Sequence, residues 1–212
     1  MSTIKAIQGM AAPIRIDNLD TDQIMPKQFL RGIDKSGLSE GLLYDLRYDN
    51  HGQIKPDFIL NRPEYASAKL LIGGSNFGCG SSREHAVWGL LQFGIKAIIA
   101  PSFAEIFYSN AMGNQLLLVG LPIEQVECLM QLSEAPHAPE IIIDVENLEV
   151  KCADLPTMKF DISKRHQEMF LKGVDVVGMS LGYMDEIQAF ATAYWQQQPW
   201  LKDVAARMKT RI

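Results

Sequence analysis

Residues 68–100 alternate local signals in an order that few folds satisfy. Leu70, Leu71 and Ile72 form a short apolar run ending in Gly73-Gly74, and the polar, glycine-bearing stretch SNFGCGSSREHA follows over residues 75–86. Val87, Trp88, Leu90, Leu91 and Phe93 then recur at the spacing of one helix face, closed by Gly94, before residues 95–100 (IKAIIA) resume as an apolar run. Strand, glycine-rich loop, helix and strand make a βαβ unit with parallel strands. Residues 101–119 repeat the scheme. Phe103, Ile106, Phe107 and Ala111 keep helical spacing, Ser102 with Glu105 reads as a capping box, Gly113-Asn114 stops the helix, and a strand follows over 115–119. Two abutting units predict an α/β fold built on a parallel sheet with covering helices.

The flanks are less regular. Residues 3–16 read as one or two opening strands interrupted by Pro13. Residues 17–32 (DNLDTDQIMPKQFLRG) crowd three aspartates and an asparagine into their first six positions, so they form a loop leading to a short helix near Pro26. Residues 33–67 are polar and broken by Gly37, Gly41, Gly52, Pro56 and Pro63, with a short helix expected from Asp57. A connection this long is more often functional than idle, as a lid or a seat for a partner, and its few apolar residues predict disorder in the isolated chain. After a helix over 123–132, IIIDVENLEVKC and TMKFDI read as a β-meander turning at Glu146-Asn147. Ser163 caps a helix to Lys172, residues 185–197 form a last amphipathic helix, and the tail after about residue 196 extends what reads as a single domain.

The formal charge of −5 comes without a Lys/Arg cluster, which excludes a nucleic-acid surface. No 18-residue apolar run exists and acids appear early in the N-terminal stretch, so neither a membrane span nor a signal peptide is expected and the location is read as cytoplasmic. Cys79, Cys128 and Cys152 lie far apart and form no CxxC pair, so no disulfide framework and no metal or cluster motif of this chain is visible.

The loop at 75–86 aims backbone N–H groups and a helix N-terminus at one point, an arrangement suited to an anion, although a plain turn with Ser81 or Ser82 as helix cap fits the same residues. The P-loop pattern fails because Cys79 stands where lysine is required, the dinucleotide fingerprint fails because Arg83 replaces its last glycine, and no G-x-S-x-G elbow is present. What remains is two serines, a guanidinium and a helix start. Arg83 can hold a carboxylate through two parallel hydrogen bonds, and a serine in that positive field can act as a base. The implied substrate is a small di- or tricarboxylic acid, and serine is so weak a base that the substrate needs further acidification, for example by a metal.

These residues resemble the small subunits of 3-isopropylmalate dehydratase, or isopropylmalate isomerase, in the aconitase superfamily. The similarity runs through DTDQIMPKQFL (20–30), NFGCGSSREHA (76–86), IAPSFAEIFYSNAMGNQLL (99–117) and LKGVDVVGMSL (171–181). The resemblance implies the swivelling β/β/α domain of the aconitase/isopropylmalate isomerase small-subunit type. It implies interconversion of 2- and 3-isopropylmalate by dehydration and rehydration through isopropylmaleate, in leucine biosynthesis. It further implies a heterodimer or higher heteromer with a large subunit that binds a 4Fe-4S cluster, no cofactor being bound by this chain. Matched by position, Ser81 is the catalytic alkoxide base, Arg83 the substrate-carboxylate arginine and Ser82 a substrate-orienting residue. Asp20, Thr21, Asp22, Glu84 and His85 support the site. Phe29, Leu30 and Arg31 match the loop that meets the substrate's variable group; Phe29 and Leu30 suit an isopropyl group, whereas Arg31 also suits homoaconitase, citraconate or dimethylmalate types. A non-catalytic carboxylate-binding module is the alternative from another class.

Overall fold

The computed structural model describes residues 3–30, 37–153 and 155–209, and within them eight strands form two four-stranded sheets. The strands are β1 (Ala6–Gly9), β2 (Ala11–Ile14), β3 (Leu70–Gly73), β4 (Ala97–Ala100), β5 (Leu117–Gly120), β6 (Ile141–Asp144), β7 (Glu149–Cys152) and β8 (Met158–Lys159). One sheet, in the order β2-β3-β4-β5, is parallel throughout; the other, in the order β1-β6-β7-β8, is antiparallel. Every residue of β2, β3 and β4 is buried, as expected of parallel strands covered on both faces. β6 and β7 alternate in burial, as an antiparallel pair with one packed face does.

The βαβ reading and the meander both hold. The opening stretch divides at Met10 rather than at Pro13: the Met10 carbonyl accepts from Lys69 N (3.1 Å) and Leu70 N (3.2 Å), while Pro13 lies inside β2. β2 borders the parallel sheet, where a missing N–H is tolerated.

Among the described residues the α-helices are α1 (Thr21–Ile24), α2 (Leu38–Gly41), α3 (Tyr44–Arg47), α4 (Glu84–Phe93), α5 (Glu105–Gly113), α6 (Ile123–Glu134), α7 (Lys164–Lys172), α8 (Val176–Leu181), α9 (Met184–Gln197) and α10 (Val204–Lys209). α6 packs against β2, β3 and β4, and α4 against α2 and α5. Gly89 of α4 permits a close approach, since a Cβ there would stand 2.1 Å from Met25 Cε. Gly94 ends α4 at φ 112°, and Ser163 caps α7 as the sequence predicts.

Several local expectations are corrected. The short helix after the aspartates begins at Thr21, ahead of Pro26, because Asp20 builds its own capping box: Asp20 Oδ1 accepts from Gln23 N (2.7 Å) and Gln23 Oε1 accepts from Asp20 N (3.1 Å). The box at Ser102 and Glu105 does not form; α5 is preceded by Ala104, and Ser102 Oγ instead accepts from Asn76 N. Much of the segment described between 37 and 67 is packed rather than disordered, while 50–57 are exposed. Leu38, Leu42, Leu43, Leu60 and Tyr65 are buried, and the Tyr65 hydroxyl donates to the Ser133 carbonyl at 2.7 Å. The helix expected from Asp57 is a pair of 3-10 turns, Ile59–Asn61 and Pro63–Tyr65.

The chain divides into two compact units, Met1–Val174 and Asp175–Ile212. The first holds both sheets and the buried core. The second holds α8, which the sequence reading did not foresee, then α9, a 3-10 turn (Pro199–Leu201) and α10. None of the described residues from 176 to 209 is buried.

Candidate active site

Three segments leave the carboxyl ends of β2, β3 and β4, the end of a parallel sheet where α/β proteins place their ligands. The 74–83 segment is stitched to both neighbours. On the β2 side, Asn18 N donates to Ser75 O (2.8 Å), Gly78 N to Leu19 O (2.8 Å) and Thr21 N to Cys79 O (2.8 Å). Asp17 Oδ1 accepts from Ser75 N at 2.7 Å, and Asn76 Nδ2 donates to Asn18 Oδ1 at 2.8 Å. On the β4 side, Phe77 N donates to Ser102 O (3.0 Å) and Ala104 N to Phe77 O (3.0 Å). Phe77 is buried, with its ring against Phe103 and Phe107.

Gly78 is required twice over. Its φ is +78°, and a Cβ there would stand 2.2 Å from the Phe107 ring. Beyond it the loop turns outward: Gly80, Ser81 and Ser82 are exposed, and Arg83 is half-buried. The buried Thr21 hydroxyl donates to the Ser81 carbonyl at 2.9 Å, fixing the backbone of that serine while its side chain faces solvent. α4 starts at Glu84, with Arg83 as the preceding residue and no side-chain cap. Neither Ser81 nor Ser82 caps the helix, so both hydroxyls are left for other work.

The guanidinium of Arg83 is paired through Nη1 with Asp22 Oδ1, and Lys27 Nζ lies 3.9 Å from Asp22 Oδ2. The Arg83 side chain is 20 % exposed and that of Asp22 43 %, so the pair is only partly screened from water. Among the described residues, Nε and Nη2 of Arg83 take part in no hydrogen bond. Glu84 accepts from Asn114 Nδ2 at 2.5 Å, and Asn114 Oδ1 accepts from Trp88 Nε1 at 3.0 Å. The His85 ring packs on Trp88 with centroids 4.8 Å apart. Glu84 and Trp88 therefore anchor the start of α4 to the end of α5, and His85 packs within α4.

The structure thus brings Asp20, Thr21, Asp22, Ser81, Ser82 and Arg83 onto one surface, through contacts about sixty residues apart in sequence. Phe29 is turned elsewhere: its ring lies 5.0 Å from that of Tyr44 and occupies the space beside Gly41. Leu30 packs against the core, and Arg31 lies outside the described residues. Sequence reasoning missed Asn18, Ser102 and Asn114, which hold the loop and the helix start. Asn18 carried a signal, since Asn is among the residues that adopt positive φ and it stands at 54°.

A cavity of about 190 Å³ opens at the same sheet end, beside the start of the loop, lined by Arg15, Asp17, Gly74, Ser75, Glu127 and Met130 among others. Its guanidinium is already engaged: Arg15 donates to Glu134 (2.6 Å) and Glu127 (2.8 Å), which raise its pKa and lower that of Glu127. The cavity is not lined by Ser81, Ser82 or Arg83.

The residues here do not fit a metal or an iron–sulfur cluster. Among the described residues no group of three or more His, Cys, Asp or Glu is placed to hold an ion. Cys79 is half-buried and donates to Asn18 O (3.2 Å), Cys128 is exposed on α6, and Cys152 is buried in β7, where burial pushes its thiol pKa up.

Residues 1–125 match the family described as the aconitase C-terminal domain. The chain is 58% identical over 206 residues to 3-isopropylmalate dehydratase small subunit 1 of Chromobacterium violaceum, covering 97% of each chain. It is 44% identical to 3-isopropylmalate dehydratase small subunit 2 of Salmonella typhimurium, covering 97% of this chain and 99% of that one. Among solved structures, the crystal structure of 3-isopropylmalate dehydratase from Methanocaldococcus jannaschii superposes with a TM-score of 0.62 at 28% identity, covering 88% of this chain and 99% of that one. No helix among the described residues is long and apolar enough to cross a membrane.

Proposed function

Since the chain belongs to the 3-isopropylmalate dehydratase small subunits of the aconitase family, we propose that it acts with a large subunit to interconvert 2- and 3-isopropylmalate, in leucine biosynthesis. The exposed Ser81-Ser82 pair, just ahead of an arginine that already grips a carboxylate, is the observation that carries the assignment of roles. Arg83 binds a substrate carboxylate through Nε and Nη2 while Asp22 holds its other edge and fixes the plane of the fork. Ser82 orients the substrate. Ser81 Oγ, as alkoxide, takes a proton from the carbon next to the one bearing the hydroxyl. The C–O bond then breaks, the hydroxyl taking up a proton from a general acid of the assembled site and leaving as water, and isopropylmaleate remains. Water adds back at the other carbon, giving one proton back to that acid while Ser81 returns its own to the carbon that bore the hydroxyl, which moves the hydroxyl by one position and consumes nothing.

A 4Fe-4S cluster held by the large subunit would supply, as a Lewis acid, the acidity that serine lacks. Thr21 keeps the Ser81 backbone in register, and Asn114 holds the Glu84 carboxylate at the start of α4. Leu30, half-buried beside the DTD segment, is the apolar side chain assigned to the isopropyl group, while the Phe29 ring packs on Tyr44. The assembled enzyme is placed in the cytoplasm.

The test is anaerobic reconstitution with the large subunit, followed by the absorbance of isopropylmaleate. Ser81→Ala is expected to lower kcat by about a thousandfold or more while leaving assembly intact, since it removes the proton-transfer group. Turnover of homocitrate or citramalate in place of isopropylmalate would reject the substrate, and an unchanged kcat would reject Ser81 as the base.

A further inference from the structure

The second unit is made of helices that have no core of their own. Of the fifteen large apolar side chains exposed among the described residues, three (Ile54, Ile106 and Ile123) lie in the first unit and twelve between Val176 and Met208. α9 concentrates them. At 100° per residue, Met184, Ile187, Phe190, Ala191, Tyr194 and Trp195 fall within an arc of about 140°, opposite Asp185, Thr192 and Gln196. Within that arc Phe190 is 70% exposed and Ile187 48%. Phe190 stacks on Tyr194 at 5.8 Å and Tyr194 meets Trp195 edge-on at 5.0 Å, so the arc presents a continuous aromatic ridge.

At about half exposure each, twelve such side chains amount to on the order of 1,000 Å² of apolar surface, while one partner in a standard interface contributes roughly 800 Å². A monomer seldom leaves more than a few hundred Å² of contiguous apolar surface open to water. The unit is also electrically balanced. Asp175, Asp185, Glu186 and Asp203 are matched by Lys202, Arg207, Lys209 and Arg211, giving 4 − 4 = 0. A large, neutral, aromatic surface is the kind buried in permanent hetero-complexes.

We infer that the apolar face of α9, with the flanking α8 and the turn at Trp200, is the element by which this chain docks into an apolar groove of its large subunit. The inference rests on the reading that a large subunit is the obligate partner. A relative named a small subunit matches 206 of the 212 residues, so at most six residues, 212 − 206, lie outside the similarity and the α9 surface lies within it. Docking follows the helix-in-groove mode, with Ile187, Phe190 and Tyr194 at i, i+3 and i+7 as anchors.

The full-length chain is titrated with the reconstituted large subunit, and Kd is read by sedimentation and by the activity curve. The double variant Ile187→Asp/Phe190→Asp is expected to bind at least about a hundredfold more weakly, with kcat at saturation within twofold of wild type and the unfolding midpoint unchanged. Phe190→Ala, which adds no charge, is expected to weaken binding about tenfold, and Ile54→Asp, exposed on the first unit, to change nothing. Affinities of the α9 variants within threefold of wild type would overturn the inference, and so would a homodimer of the chain that Phe190→Ala dissociates while large-subunit binding stays intact. Failure of the wild-type chain to bind or activate the large subunit would instead bring down the functional reading beneath it.

Discussion

α4 and α9 carry apolar residues at the same helical spacing, yet α4 buries Ala86, Val87, Gly89 and Leu90 while α9 buries none of its residues. The difference is topological. α4 lies between two strands of one parallel sheet, so the crossover presses its apolar face inward before any side chain is considered. No strand follows α9 among the described residues. Periodicity therefore selects which face of a helix is apolar, and connectivity decides whether the same chain covers it.

Truncations that remove a similar apolar load at the two places should separate them most widely. Leu90→Ala is expected to lower stability by about 2–5 kcal/mol in urea unfolding, since the cavity is sealed by neighbours. Phe190→Ala in the isolated chain should change it by no more than about 0.5 kcal/mol. Equal losses would break the comparison by showing that α9 has a covered face in the free chain. A smaller effect tests the polar part of the first unit. Thr21→Val keeps the shape of a buried side chain but removes its hydrogen bond to Ser81 O, and should cost about 1–2 kcal/mol. The same substitution should lower kcat of the reconstituted enzyme, because the bond holds the loop that carries the serine; an unchanged kcat would show that the loop is fixed by its backbone bonds alone.

The smallest effect is a pH dependence. His166 of α7 packs against the ring of Tyr108, and burial, helped by Arg165, holds its pKa below the ordinary 6.5. The folded state thus prefers the neutral imidazole, so its contribution is full above pH 6.5 and is lost as pH falls through the lower folded value. The second unit contains no histidine. Acidification from pH 7 to 5 should weaken the first unit and leave the helicity of α9 unmoved, and His166→Gln should flatten that dependence in calorimetry. A stability curve unaltered by the substitution would remove His166 as its cause.

The parts of the fold legible in the sequence were those governed by local rules. Leu70–Gly73, Ala97–Ala100 and the helix between them declared themselves through apolar runs and Gly94, and Ser163 and Gly173 bracketed α7. What stayed hidden depends on contacts across the chain. Ser102 satisfies the spacing of a capping box, but Asn76 N competes for its oxygen from 26 residues away. The 37–67 stretch looks too polar to order itself, yet four of its five leucines are buried, and α2 packs against α4. The grouping of Ser81, Ser82 and Arg83 with a helix start was readable as an anion site. That Asp22 would already engage Arg83 was not, because 61 residues separate them.

Pro13 works together with what covers it. β2 borders the parallel sheet, and a bare border would offer backbone groups to which a strand from another chain could add. Here all four residues of β2 are buried, α6 and the Ile59–Asn61 turn pack against the strand, and Pro13 brings no N–H. The border is thus closed by packing as well as by composition, so Pro13→Val should leave the free chain no more prone to aggregate, as light scattering would show.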